Sequence, residues 1–205
     1  MNKRIKESKT DYFHNLAEGW DERVGNNSER AVKLKEVFKM IEISPENSVL
    51  DVGSGNGILL RFIHEKTDKT GKITAVDPAP GMIKKAKELH DDLDNIDYVT
   101  GFIEEISLPE KTFDVALCYA VIPHIDDIPS ALTNINRMLK ESGKLYIFHP
   151  ASTDDLNHFH SNLDAPVKHD LLPGESEMKR LLSDAGFKIN TYIDEPGLNF
   201  MECQK

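Results

Sequence analysis

The chain has 205 residues, of which 39% are hydrophobic, and this is enough for one domain with a sizeable core. It carries 25 Lys and Arg against 35 Asp and Glu, which gives a formal net charge of −10. Phosphate binding requires clustered basic residues, so this acidic balance argues against nucleic acid as a partner. No apolar stretch of the sequence is long enough to span a bilayer, and we expect no membrane partner.

The two cysteines, Cys118 and Cys203, lie far apart in sequence and form no CxxC pair. This pattern is typical of reduced thiols in a cytosolic protein. The first residues also lack the apolar core of a signal peptide. We therefore expect a cytoplasmic location, and a monomer or a homodimer.

A helical region opens the chain. Apolar residues recur at helical spacing through residues 11–41, and Gly25, Asn26 and Asn27 predict a break into two helices. The polar segment before it, with the basic residues Lys3, Arg4, Lys6 and Lys9, is expected to fray.

From residue 47 onward, strands and helices alternate. We predict strands at 47–53, 71–77, 96–101, 111–120 and 142–150, and helices at 57–66, 80–92, 128–140 and 175–187. Two further strands, 188–193 and 198–205, are too close for a crossover helix and predict an antiparallel ending. The alternation predicts an α/β fold: a seven-stranded, mostly parallel sheet with an antiparallel final strand and helices on both faces.

The stretch "DVGSGNGILL", residues 51–60, joins the first predicted strand to the following helix. In open α/β sheets ligands bind at the carboxyl ends of the strands, where this turn lies. Gly53, Gly55 and Gly57 allow positive φ and close approach of a ligand to the backbone. A dinucleotide fingerprint reads G-x-G-x-x-G, but position 58 is Ile, which disfavours an NAD-dependent oxidoreductase.

Two acids accompany the turn. Asp51 stands directly beside it, where a carboxylate would repel a pyrophosphate and suits a cationic group. Asp77 ends the second strand, 20 positions after Gly57, the place of an acid that binds ribose hydroxyls. The ligand should carry a ribose and an amine but no phosphate, and S-adenosylmethionine (SAM) fits that description.

Three stretches in order, "VLDVGSGNGILL", "ITAVDPAPGMIKKAK" and "LPEKTFDVALCYAVIPHIDD", resemble successive motifs of the class I SAM-dependent methyltransferases, most of all the small type 11 group. The resemblance covers roughly residues 11–205 and implies a single Rossmann-like domain over residues 1–205. "YFHNLAEGWDE" is similar to an N-terminal lid helix, which places a helical lid at residues 1–42. Residues 150–173 would form a connection on the substrate side.

The resemblance also implies roles for individual residues. Asp51 and the turn formed by Gly53, Ser54, Gly55, Asn56 and Gly57 would face the methionine part of SAM, Asp77 would bind the ribose, and Pro78 and Met82 would pack on the adenine. Cys118 and Tyr119 would lie near the sulfonium, and Tyr12 and Trp20 would close the lid over the cofactor.

Phe102 departs from the family pattern, which has an acid for the adenine amino group at this position. We expect Phe102 to contact the ring face and the Ile103 backbone to read the adenine edge. Other readings stay open: Asp77 as a helix cap, Cys118 as a small buried apolar residue, and the aromatic residues of the lid as a buried helix face.

A base is needed only if the methyl acceptor must lose a proton, and His124 and His149 follow adjacent strand ends. We predict both as catalytic residues, with loop ordering as the alternative. The connection 149–174 is rich in His, and its residues 156–169 are expected to wall the acceptor pocket together with His124 and His149; a solvated loop ranks second and a metal site third, and metal binding is left unknown. The predicted activity is methyl transfer from SAM to a small-molecule acceptor, with S-adenosylhomocysteine as product. The alternative is a SAM-binding module without catalysis.

Overall fold

The computed structural model describes residues 3–20, 28–68 and 70–205. Its strands are β1 (Ser48–Val52), β2 (Lys72–Asp77), β3 (Ile96–Thr100), β4 (Phe113–Tyr119), β5 (Leu139–His149), β6 (Lys188–Glu195) and β7 (Leu198–Gln204). They form one sheet in the order β3-β2-β1-β4-β5-β7-β6. Strands β1 to β5 are parallel, and β7 is antiparallel to both β5 and β6. This confirms the predicted sheet.

The helices are α1 (Lys3–Leu16), α2 (Ser28–Met40), α3 (Leu60–Thr67), α4 (Pro80–Leu89), α5 (Ile128–Met138), α6 (Thr153–Ser161) and α7 (Glu175–Asp184). Short 3₁₀ turns occur at Ala17–Gly19 and Ile122–His124. None of the helices in the described ranges is long and apolar enough to cross a membrane. The predicted break at residues 25–27 lies outside the described residues.

Two expectations about helices are wrong. Helix α1 begins at Lys3, so the basic segment at the start of the chain is helical where fraying was expected. Helix α6 lies inside the connection for which no helix was predicted. Its start is capped reciprocally: the Ser152 hydroxyl accepts from the Asp155 N–H at 3.2 Å and donates to the Asp155 carboxylate at 2.7 Å.

The order of the strands fixes where a ligand can bind. The chain starts in the middle of the sheet at β1, moves outward to β2 and β3, and then returns to β4 on the other side of β1. The connections after β1 and β4 therefore diverge at the carboxyl ends of these two strands. Such a divergence opens the crevice in which open α/β sheets bind ligands.

The sheet separates two apolar cores, because successive side chains of a strand point to opposite faces. Leu50 and Val52 of β1 pack with buried residues of α5 and α7. Val49 packs with buried residues of α2 and α3 on the other face. Both faces of β1 are thus covered, and this holds its carboxyl end in a fixed position below the glycine turn.

Helix α1 and the 3₁₀ turn that follows it are docked on α4. The Gly81 N–H donates to His14 Nδ1 at 3.0 Å, and Lys85 Nζ lies 3.2 Å from a carboxylate oxygen of Glu18. Ala17 is buried against Ala79 and Met82 at the start of α4. These contacts lay the N-terminal helix across the carboxyl edge of the sheet.

Candidate active site

The glycine turn between β1 and α3 uses backbone conformations that favour glycine. Gly53, Gly55 and Gly57 have φ values of +65°, +56° and +89°. A Cβ on Gly53 would lie 2.1 Å from the side chain of Val121, so this position is closed by packing. Among the described residues, a Cβ on Gly55 would meet only the indole nitrogen of Trp20, at 3.9 Å. Gly55 therefore keeps its backbone open toward the space beneath Trp20.

That space is a cavity of about 120 Å³ at the carboxyl ends of the strands. Its floor is formed by the turn residues Gly53 and Gly55. The side chains of Phe13 and Trp20, from the N-terminal helical segment, form part of its wall. Of the other turn residues, Ser54 and Asn56 are buried and, with Gly57, do not line this cavity.

Asp77 connects three parts of the site at the end of β2. Its Oδ2 accepts from the Gly55 N–H at 2.9 Å, and its Oδ1 accepts from the Ala79 N–H at 2.8 Å at the start of α4. Asp77 also lines the cavity, so the predicted cap and the predicted ligand acceptor are compatible in one side chain. Burial raises its pKa to about 6, against the effect of the two backbone hydrogen bonds.

Asp51 is almost fully buried in β1, with 1% of its surface exposed, and it does not line the cavity. In the described part of the chain its Oδ2 has no hydrogen-bond partner. Burial and, secondly, the nearby charge of Asp77 raise the pKa of Asp51 to about 7. An ionised carboxylate that is buried without a partner lowers the stability of the folded protein, and a cation beside it would offset this loss of free energy.

The residues predicted for the adenine side all line the cavity: Pro78, Met82, Phe102 and Ile103. The Ile103 carbonyl accepts from the Asn134 side chain at 2.7 Å, which fixes this segment. The sequence did not single out Glu104, which also lines the cavity and brings a carboxylate to the wall where Phe102 stands.

Cys118 and Tyr119 do not line the cavity, which corrects their predicted position. Cys118 points into the core between the sheet and α5, and burial raises the pKa of its thiol. The Tyr119 hydroxyl accepts from Arg30 Nε at 3.0 Å on the opposite face. The two residues that follow the strand, Ala120 and Val121, reach the cavity instead.

The lid residues differ in part from the prediction. Trp20 lines the cavity, but its partner is Phe13, whose ring centroid lies 5.8 Å from that of Trp20. Tyr12 stands edge-on to Phe13 at 5.3 Å and does not reach the cavity. Lys9 and Phe13 both line the cavity and are four residues apart, so they lie on the same face of α1. This helical spacing is the sequence signal that places Phe13 on the face turned toward the cavity.

The predicted catalytic histidines have different surroundings. His124 lies in the 3₁₀ turn after β4 and lines the cavity, edge-on to Phe13 at 5.1 Å. His149 is 1% exposed and does not line it. Burial lowers the pKa of His149 to about 3, and neither ring nitrogen has a partner among the described residues. The prediction that His149 faces the acceptor is not supported.

None of residues 149–174 lines this cavity, so the structure does not bring the predicted pocket wall against it. Instead the connection brings Asp170 behind His124, with Oδ2 of Asp170 at 2.8 Å from Nδ1 of His124. The His160 ring contacts the Asp170 carbonyl through Nδ1. Within the described ranges no cluster of three or more His, Cys, Asp or Glu has an arrangement that could hold a metal ion.

A known protein family contains this sequence pattern. The family described as "Methyltransferase domain", of type 11, matches residues 50–147. Residues 50–147, just under half of the chain, therefore carry the sequence of this methyltransferase domain. The matched methyltransferase segment runs from β1 into β5 and includes the glycine turn, Asp77 and His124.

Two curated relatives illustrate the family. A mitochondrial ubiquinone biosynthesis O-methyltransferase of Schizosaccharomyces pombe is 31% identical over 159 residues, which covers 71% of this chain and 56% of the relative. A demethylmenaquinone methyltransferase of Staphylococcus aureus is 24% identical and covers 94% of this chain and 89% of the relative. The chain spans about half the length of the first of these relatives and of several others.

Solved structures share the fold of this chain. A SAM-dependent methyltransferase of Aquifex aeolicus superposes with a TM-score of 0.69 at 22% identity, over 83% of this chain and 88% of that one. A chain from a complex between the Trm112 methyltransferase activator and a methyltransferase of Haloferax volcanii gives a TM-score of 0.75 at 16% identity, over 96% and 97%.

Proposed function

We propose that this protein binds SAM in the cavity beneath Trp20 and transfers its methyl group to a small-molecule acceptor. The observation that carries the proposal is the pair of buried acids at the glycine turn. Among the described residues Asp51 has a carboxylate oxygen without a partner, and Asp77 lines the cavity at the end of the neighbouring strand. In this proposal Asp77 binds the ribose of the ligand, and the nearby Asp51 carboxylate attracts its amine.

Asp51 and Gly55 fit the methionine part of SAM. The ammonium group of that part provides the cation that the buried Asp51 carboxylate lacks. The open backbone at Gly55 admits close approach of the ligand, because no described side chain other than Trp20 lies within 4 Å of a Cβ built there. The orphaned carboxylate and the open glycine are therefore consistent with this cofactor.

The nucleoside part fits the next two strands. The two Asp77 oxygens each accept one backbone hydrogen bond, and a carboxylate has about four acceptor sites, so capacity remains for ribose hydroxyls. Met82 and Phe102 offer apolar contact to the adenine. Glu104 supplies a carboxylate on this wall for the adenine amino group, in place of the acid that the family has at position 102.

The N-terminal helix serves as a lid in this proposal. The cavity of about 120 Å³ is smaller than the roughly 300–1,000 Å³ of ligand pockets. Phe13 and Trp20 must therefore move outward to admit the cofactor and return to cover it. Some of the contacts that hold this segment, such as the one from Gly81 to His14, lie near the surface.

The chemistry requires alignment and exclusion of water. Bound SAM supplies an activated methyl group at the sulfonium. Phe13, Val121 and Ile125 give the cavity an apolar wall that keeps water from the reacting atoms. His124 lies on the same wall and holds an imidazole where an acceptor proton can be received.

A small molecule is the acceptor we propose, and two relatives named for quinone biosynthesis methylation support that class. We further propose a cytoplasmic location, because both cysteines are buried free thiols. The prediction of a monomer or homodimer stays a prediction.

Turnover tests the proposed activity. The purified protein is incubated with SAM and a panel of small phenols, amines, carboxylic acids and thiols, and S-adenosylhomocysteine is quantified by mass spectrometry. We expect acceptor-dependent formation of S-adenosylhomocysteine with at least one chemical class. SAM binding without turnover of any class would favour the binding module without catalysis.

A further inference from the structure

We propose that Asp170 is a positioning residue that holds His124 with Nε2 as the proton acceptor, and that the methyl acceptor is a hydroxyl compound. The inference rests on the proposed function and adds the chemical class of its substrate. Asp170 lies outside the matched family segment and comes from the connection after β5.

The geometry joins three separate parts of the chain. Asp170 is buried, with 5% of its side chain exposed, and its two oxygens have different partners. Oδ2 lies 2.8 Å from His124 Nδ1, and Oδ1 lies 2.6 Å from Nζ of Lys9 on α1. Lys9 also donates to Asp126 at 2.8 Å. The His124 side chain is partly exposed, at 23%, and faces the cavity.

The charge on Asp170 determines the tautomer of His124. Burial favours the neutral acid, but the hydrogen bonds from His124 and Lys9 outweigh it and lower the pKa of Asp170. An ionised carboxylate only accepts hydrogen bonds, so His124 must carry its proton on Nδ1. The neutral ring then has its lone pair on Nε2, as in other carboxylate-held catalytic histidines.

Several charged or titratable groups lie around the His124 ring. Among the residues that the structure describes, Asp170 and Asp126 bring two carboxylates against one ammonium, that of Lys9. The rings of His149 and His160 also interact electrostatically with His124. Burial lowers the pKa of both rings, so they are neutral near pH 7 and add no positive charge. A proton received at Nε2 is therefore balanced by the Asp170 carboxylate.

This arrangement is useful for one class of acceptor. A neutral amine attacks with its own lone pair, and the proton can leave afterwards. A hydroxyl must lose its proton as it reacts: the C–O bond forms, the C–S bond breaks with its electron pair left on sulfur, and the O–H proton passes to Nε2 of His124. The products are a methyl ether, S-adenosylhomocysteine and a protonated His124, which then releases the proton to solvent.

Nitrogen NMR of the ¹⁵N-histidine-labelled full chain at pH 7.5 tests the arrangement without any acceptor. We expect the Nδ1–H tautomer for His124 in the wild type. In Asp170→Asn the amide can donate to Nδ1, so this tautomer is lost. Asp126→Asn, the matched control, removes a partner of Lys9 but no contact to His124, and should leave the tautomer unchanged. An Nε2–H tautomer in the wild type would overturn the inference, even if SAM binds.

Methyl transfer at pH 8 to catechol and to 4-nitrocatechol tests the chemical role. The first keeps its hydroxyl proton at this pH, and the second is already ionised. We expect Asp170→Asn to lower kcat for catechol by about 100-fold or more, with much less effect on 4-nitrocatechol and no change in the Kd of SAM. Equal losses for both compounds would make Asp170 merely structural. No turnover of either by wild-type protein that binds SAM would overturn the hydroxyl assignment.

Discussion

Replacing Asp51 with Asn should stabilise the SAM-free protein and weaken SAM binding. The folded protein favours the neutral acid, because burial raises the pKa of Asp51 from 3.8 to about 7. The stabilising contribution of this group is therefore present below about pH 4 and is lost as the pH rises through about 7. A shift of about three units corresponds to roughly 4 kcal/mol of destabilisation above that range.

The variant removes this charge but leaves an amide donor unpaired, which costs about 1–3 kcal/mol. The net gain at pH 8 is roughly 2 kcal/mol, and Tm rises by roughly 4–8 °C for a chain of this size. At pH 5, where Asp51 is mostly neutral in the folded wild type, the gain should vanish. Differential scanning calorimetry at both pH values measures the difference. Asp97→Asn, at an exposed acid on β3, is the control and should match wild type at both.

SAM affinity should change in the opposite direction. Loss of a hydrogen bond to a charged group costs about 1.5–3 kcal/mol, equivalent to a roughly 10- to 150-fold higher Kd. Titration calorimetry at pH 8 measures it. If Asp51→Asn is less stable than wild type at pH 8, or binds SAM with unchanged affinity, Asp51 is not a buried carboxylate that binds the ammonium group of SAM.

Three further predictions concern the cofactor and the core. Asp77→Ala should weaken SAM binding by about 1.5–3 kcal/mol in a chain that remains folded by circular dichroism; an unchanged Kd would remove Asp77 from the site. Deletion of residues 1–26 should leave a folded core that binds SAM poorly, and Trp20 fluorescence of the full chain should respond to SAM; normal turnover by the truncated chain would disprove the lid. His149 has a pKa near 6.5 in the unfolded chain, whereas burial lowers its pKa to about 3 in the folded protein. The wild type therefore loses stability as the pH falls from about 6.5 to about 3. His149→Leu should shift acid unfolding to lower pH and retain turnover, whereas loss of turnover with intact SAM binding would restore His149 as a catalytic residue.

Much of the fold could be predicted because the chain alternates strongly between strand and helix patterns. The short gap between β6 and β7 also led correctly to the antiparallel ending. Helix α6 was missed, although Ser152 and Asp155 carry the signature of a capped start. Its polar, histidine-rich sequence lacks a continuous apolar stripe, which is the signal that periodicity detects.

The site could be predicted where local chemistry is decisive and not where distant segments meet. Gly55 and Asp77 were identified because their backbone and charge requirements are local to the turn. The sequence around Asp170 gave no such signal. The role of Asp170 depends on its contacts with His124, 46 positions away, and with Lys9 of the N-terminal helix, which only the folded chain brings together. Cys118 was predicted to lie near the ligand, but it is buried in the core, and the cavity is reached two residues later, at Ala120. The sequence predicts where a strand ends but not which of its last side chains lie outside the core.

Titration calorimetry of the full chain with SAM and with NAD, in wild type and in Gly55→Val, tests the central claim most directly. At a φ of +56° a valine is strained, and its side chain would occupy the space beneath Trp20. We predict that wild type binds one SAM per chain and no NAD, and that folded Gly55→Val binds neither. Binding of NAD by the wild type, or undiminished SAM binding by Gly55→Val, would contradict the assignment of this cavity to SAM.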